Sequence, residues 1–116
     1  MKVIYKTEGA EKHHIPYELK KNRLIFDDEE LSVRLDKYER DEDAHLDVCR
    51  DKYGNLMLGV IPGVAQLYTA QIDIPARTYH DEDTGETTED GEPIYKPVAD
   101  PFNSDNTTLT LWETEE

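Results

Sequence analysis

Leu67-Tyr68-Thr69-Ala70-Gln71-Ile72-Asp73-Ile74 is the stretch on which the fold class turns. Tyr68, Ala70, Ile72 and Ile74 alternate with Leu67, Thr69, Gln71 and Asp73. A period of two sends one set of side chains to a core face and the other toward water. Parallel strands are covered on both faces and read as unbroken apolar runs, so this alternation predicts antiparallel sheet. Pro75 cannot donate to a ladder and ends the strand or marks an edge.

The same period recurs outward from this segment. Leu31, Val33 and Leu35 alternate with Ser32, Arg34 and Asp36; Leu46 and Val48 alternate with His45, Asp47 and Cys49; Leu109 and Leu111 alternate with Thr108, Thr110 and Trp112. Turn residues separate the runs. Lys20-Lys21-Asn22 divides Ile15–Leu19 from Arg23–Phe26, and Asp51–Asn55, with Gly54 for a positive φ, joins Leu46–Arg50 to Leu56–Ile61. Pro62-Gly63 punctuates before the central run. Asp36–Ala44 lacks an apolar stripe and reads as a polar loop or a single helical turn. Short strands at close spacing predict a mostly-β, single domain over residues 1–116, an antiparallel meander closing into a small sandwich or barrel. Its last strand, 107–112, returns to the body.

The supply of core residues is thin. Leu, Ile, Val and Phe number 25 of 116, close to the roughly 20% below which strongly charged chains tend to disorder. Residues 81–92 are acidic and polar, with Gly85 and Gly91, and cannot bury enough surface to offset the cost of ordering. A mobile loop is expected there. Pro93, Pro97 and Pro101 hold residues 93–101 extended rather than helical.

Net charge is -14, and it is unevenly placed: residues 1–58 hold 11 Lys/Arg and 14 Asp/Glu, and the remainder hold 2 and 13. Such a chain repels nucleic acid, whose binding rests on Lys/Arg neutralising phosphates, and is disfavoured at anionic membranes. Its natural complement is a basic protein partner. Cys49 is the lone cysteine, so no intramolecular disulfide forms, in keeping with a reducing cytoplasm. Lys2 and Lys6 bracket only three apolar residues, far short of a signal-peptide core.

Three groups of residues could carry site chemistry. Asp81, Asp83 and Glu92 match ligand positions of a calcium loop, but Gly85 stands where a third ligand is needed and Glu86 where glycine is needed. Asp41, Glu42 and Asp43 lie near His45 and Asp47, which share a strand face, yet nothing brings His13, His14 or His80 near to complete a metal shell. Cys49 lies on that same face, and side chains two apart on a strand stand about 6–7 Å apart, too far for a direct nucleophile–base pair. The expectation is therefore no catalytic, cofactor or metal residue. Tyr5, Tyr17, Tyr38, Tyr53, Tyr68, Tyr79, Tyr95 and Trp112 can serve either half-buried strand positions or an interface.

The run Ile72–Tyr79, the acidic stretch after it, Thr108–Trp112, and the opening Val3-Ile4-Tyr5 with Ile15-Pro16-Tyr17 together resemble small uncharacterised proteins encoded in phages and prophages of Gram-positive gut bacteria. That resemblance implies a bacterial cytoplasm or a virion and carries no known activity. The expectation is a non-enzymatic protein-binding or structural module, a component of a phage particle or its assembly, with homo-oligomerisation through an open sheet edge in view. The alternative is an acidic mimic of nucleic acid that inhibits a host defence protein.

Overall fold

A computed structural model describes residues 1–59 and 65–114. These form β1 (Lys2–Tyr5), β2 (Tyr17–Lys20), β3 (Arg23–Phe26), β4 (Leu31–Arg34), β5 (Ala44–Asp51), β6 (Leu56–Leu58), β7 (Ala65–Ile74), β8 (Tyr79–Thr87), β9 (Pro93–Ala99) and β10 (Thr108–Leu111). A single helical turn, α1 (Leu35–Tyr38), follows β4, and a 3-10 turn at Ser104–Asn106 precedes β10. The Pro62-Gly63 punctuation lies outside the described residues.

The strands make three sheets. The first has the order β1-β10-β7-β5-β6, the second β2-β3-β4, and β8 pairs with β9 alone. All pairings are antiparallel except β1 with β10. The fold is mostly β, as the alternation requires. The five-stranded sheet does not close on itself among the described residues, so the barrel gives way to a sandwich-like packing of two open sheets. One buried cluster joins them: Ile15, Leu24, Phe26, Val33 and Leu35 from the side of the smaller sheet meet Val48, Ala70, Ile72, Ile74, Leu109 and Leu111 of the larger. None of the described helices is long and apolar enough to cross a membrane.

The larger sheet departs from simple alternation at two places in the β5–β7 pairing, between Arg50 and Asp51 and between Val48 and Cys49, and the second reaches the core. Register shifts between Val48 and Cys49, so that Val48 faces Ala70 while Cys49 faces Tyr68, leaving Thr69 as an extra residue on β7. This is a β-bulge, and it inverts the parity of the residues just before it, Tyr68 and Leu67. The Thr69 hydroxyl donates to the Val48 carbonyl at 2.9 Å and satisfies the buried bulge. Tyr68, grouped by its spacing with Ala70, Ile72 and Ile74, therefore lands on the opposite face at 46% exposure, stacked on Trp112 with ring centroids 5.6 Å apart.

The expected mobile loop over 81–92 requires correction. Residues 81–87 belong to β8, and only 88–92 form the connection to β9. Strand pairing here draws on backbone hydrogen bonds and cross-strand contacts rather than on apolar burial. Glu82 sits directly opposite Lys96, an opposite-charge pair that favours the register. The Thr84 hydroxyl donates to the Ile94 carbonyl at 2.9 Å, and Gly85 takes φ 81° at the irregularity between Asp83 and Thr87. The ribbon is exposed nearly throughout, with Thr84 and Val98 half-buried. A nine-residue strand runs about 30 Å. It accounts for an elongated molecule of 68 × 29 × 23 Å, with a radius of gyration of 19.2 Å against about 13 Å for a compact chain of this size.

Candidate functional site

Two polar arrangements carry the chemistry of this surface, one on the outer face of the five-stranded sheet and one at the root of the ribbon.

On the sheet, β5 and β7 place His45 opposite Asp73 and Asp47 opposite Gln71. His45 Nδ1 lies 2.6 Å from Asp73 Oδ1 and Nε2 lies 2.9 Å from Asp47 Oδ1, while Gln71 Nε2 donates to Asp47 Oδ1 at 2.8 Å. The 6–7 Å spacing along a strand does not keep His45 and Asp47 apart, because the imidazole spans the gap. A shallow depression of about 260 Å³ lies beside His45 and Asp73, rimmed by Asp43, Pro75, Asn106 and Thr108. Both ring nitrogens point at carboxylates, so neither is free to act as a base. The carboxylates sit on opposite sides of the ring and do not converge. Among the described residues no group of three or more His, Cys, Asp or Glu is arranged to hold a metal ion. Cys49 is buried, and burial pushes its thiol pKa up with Asp47 adding to the shift, which makes it a poor nucleophile.

At the root of the ribbon the acids weighed above as metal ligands do structural work. Asp43 Oδ1 accepts from the Ala76 amide at 2.9 Å, and Asp41 Oδ1 accepts from the Tyr79 hydroxyl at 2.5 Å. Arg77 donates from its backbone to the Arg40 carbonyl at 2.7 Å and from Nη2 to the Glu39 carbonyl at 3.0 Å. His80 repeats the pattern of His45: Nδ1 is 2.5 Å from Asp100 Oδ1 and Nε2 is 3.2 Å from Glu82 Oε1. The Thr78 hydroxyl donates to the other Asp100 oxygen at 2.5 Å. Strand β8 thus leaves the body through a clamp of residues 39–43 and 76–80.

A neutral imidazole has one N–H, so an imidazole with carboxylates at both nitrogens satisfies both only when protonated. The pKa of His45 is raised, chiefly by the hydrogen bond to Asp73, with burial opposing and Asp47 adding. That of His80 is raised by Asp100 and then Glu82. Asp100 is lowered, by the Thr78 hydroxyl first and His80 second. A raised histidine pKa contributes stability that is fully present below the unfolded value, about 6.5, and is lost as pH rises through the folded value. Melting temperature is therefore expected to fall as pH rises above about 6.5. With the His45 side chain 48% exposed, solvent screening limits its share to about 1 kcal/mol or less. His45→Gln should flatten part of the profile in thermal melts at stepped pH. An unchanged profile in that variant would show that the Asp73–His45–Asp47 bridge contributes nothing.

The ribbon carries the remaining features. Between residues 79 and 99 it holds seven acids and a single lysine, Lys96. By register one face presents Tyr79, Asp81, Asp83, Tyr95 and Pro97, and the other His80, Glu82, Thr84, Lys96 and Val98. Asp81, Asp83 and Glu92 do not form a calcium loop: Asp83 instead accepts from the Gly85 amide at 2.8 Å. Tyr79 and Tyr95 are 47% and 57% exposed. Six of the seven tyrosines are exposed, and the fully buried aromatic is Phe26.

No family model, curated protein or solved structure matches the chain.

Proposed function

We propose that this protein is a non-enzymatic protein-binding module that presents the β8–β9 ribbon to a partner with a basic surface. The observation that carries the reading is an acidic, tyrosine-bearing two-stranded ribbon with no second layer of its own among the described residues. A lone hairpin is marginally stable in water. One that is clamped at its root and exposed along its length has surface available for a partner. Exposed Tyr79 and Tyr95 supply contact area at low entropic cost, and the acids select for Lys and Arg and speed encounter. The resemblance of the sequence to phage and prophage proteins directs the same reading toward a particle or assembly component acting in a bacterial cytoplasm or a virion.

Mimicry of nucleic acid has less support. Same-face acids on a strand repeat at about 6.8 Å, whereas phosphates repeat at about 3.4 Å along each DNA strand. A mimic needs acids on two neighbouring strands. Opposite Asp81, Glu82 and Asp83 stand Pro97, Lys96 and Tyr95, so the acids run in single file.

The test is affinity purification of the tagged protein from its own host, with mass spectrometry, for wild type and for a chain in which 79–99 is replaced by two glycines. The Asp100 amide donates to the Thr78 carbonyl at 2.9 Å, so the cut ends already lie together. Basic proteins retained by wild type are expected to disappear both with the ribbon excised and at high salt. If the ribbonless chain melts normally and retains the same proteins, the ribbon is not the binding element. Release of the retained proteins by added DNA would move the reading to the mimic.

A further inference from the structure

The second sheet carries a feature that a chain of this charge does not need for folding. Lys20 is directly opposite Arg23 between β2 and β3, and Arg23 is directly opposite Arg34 between β3 and β4. Three cations thus stand in one row across three strands, where like charges in register destabilise the sheet. Lys21, in the adjoining turn with φ 54°, adds a fourth. These residues, with Asn22 and Glu29, line a depression of about 530 Å³ that has Ile25, only 8% exposed, beneath it. Local compensation is partial. Arg34 pairs with Asp36 at 2.9 Å, Lys20 reaches Glu18 only at 3.9 Å with both groups well exposed, and Arg23 enters no ion pair among the described residues.

We propose that this cation row receives the acidic ribbon of a second copy of the chain. The inference rests on the ribbon being the binding element. Within one copy no ion pair among the described residues joins the ribbon acids to Lys20, Lys21, Arg23 or Arg34. The two surfaces are complementary and remain open to a neighbour. Asp81 and Asp83 face one way with Tyr95 beside Asp83, so an arginine that pairs with Asp83 can also lie against an aromatic ring. Cations in the row repeat at about 4.8 Å across the strands, within reach of the ribbon acids for side chains as long as Lys and Arg. Row and ribbon are different surfaces, so one-way docking grows rings or filaments, and reciprocal docking closes a two-fold dimer.

The salt dependence distinguishes this contact from apolar association. Each copy carries -14, and at about 0.01 M salt, with a screening length of about 30 Å, the bodies repel as wholes. At about 0.1 M that range falls to about 10 Å and the contact pairs survive; near 1 M, at about 3 Å, they are screened as well. Sedimentation of the full-length chain should therefore show self-association strongest at the middle salt. Lys21→Glu with Arg23→Glu, and separately Asp81→Lys with Asp83→Lys, should each weaken it about tenfold or more. An equimolar mixture of the two double variants should recover it, because the reversed ribbon then faces the reversed row. A wild-type monomer at every salt, or variants that associate as wild type does, overturns the proposal. If the chain stays monomeric while the ribbon still captures a basic host protein, the ribbon's role stands and only the second-copy partner falls.

Discussion

Phe26→Ala is expected to destabilise the protein by about 3–5 kcal/mol, the usual cost of removing a buried phenyl group. A typical domain has about 5–15 kcal/mol in total. Phe26 is fully buried in β3, the middle strand of its sheet, flanked in register by Tyr17 and Leu31. It belongs to the one cluster that spans both sheets, where Leu109, Leu111, Ile72 and Ile74 answer from the other side. So few large apolar residues are available that no neighbour can refill the space. Urea or thermal unfolding followed by circular dichroism measures the loss. A change below about 1 kcal/mol would be typical of a surface site, and would mean that the two sheets do not share a core through this ring.

A chain ending at Asn106 is expected not to fold cooperatively. Strand β10 lies between β1 and β7, and among the described residues β1 pairs with no other strand. Removing it exposes the seam on both sides and deletes Leu109 and Leu111, both fully buried, at about 1.5–3 kcal/mol each before any ladder bond is counted. Excising the ribbon removes more residues, yet should leave a sharp melting transition because its side chains stay outside the core. Thermal melts of the two chains compare them directly. A cooperative transition in the shortened chain would show that β7, β5 and β6 suffice with the second sheet.

Period-two spacing makes much of this legible. Val33, Leu46, Val48, Ala70, Ile72, Ile74, Leu109 and Leu111 all lie on core-facing positions, buried or packed against the cluster. Tyr68 is not legible, because a single extra residue at Thr69 inverts parity, and no composition marks the place. The ribbon escapes for a different reason. Criteria based on apolar burial do not see strands whose pairing rests on backbone bonds, with Glu82 set opposite Lys96 in register. The candidate surfaces need register above all. Asp73 is 28 residues from its partner His45, and the row of Lys20, Arg23 and Arg34 exists only once β2, β3 and β4 are aligned. Single-file alternation puts His45 and Asp47 on one face, but it does not show an imidazole held between two carboxylates.

The parallel pairing of Lys2–Tyr5 with Thr108–Leu111 also sets when the protein can become itself during synthesis. Translation at about 5–20 residues per second leaves the first strand waiting on the order of ten seconds for its mate. During that wait Ile72 and Leu24 have been made but the sheet lacks an inner member, and its exposed backbone invites pairing with other nascent chains. Contacts this far apart in sequence also slow folding after release. A cell making this protein in quantity would therefore benefit from a chaperone that shields the unfinished seam until residues 108–111 emerge.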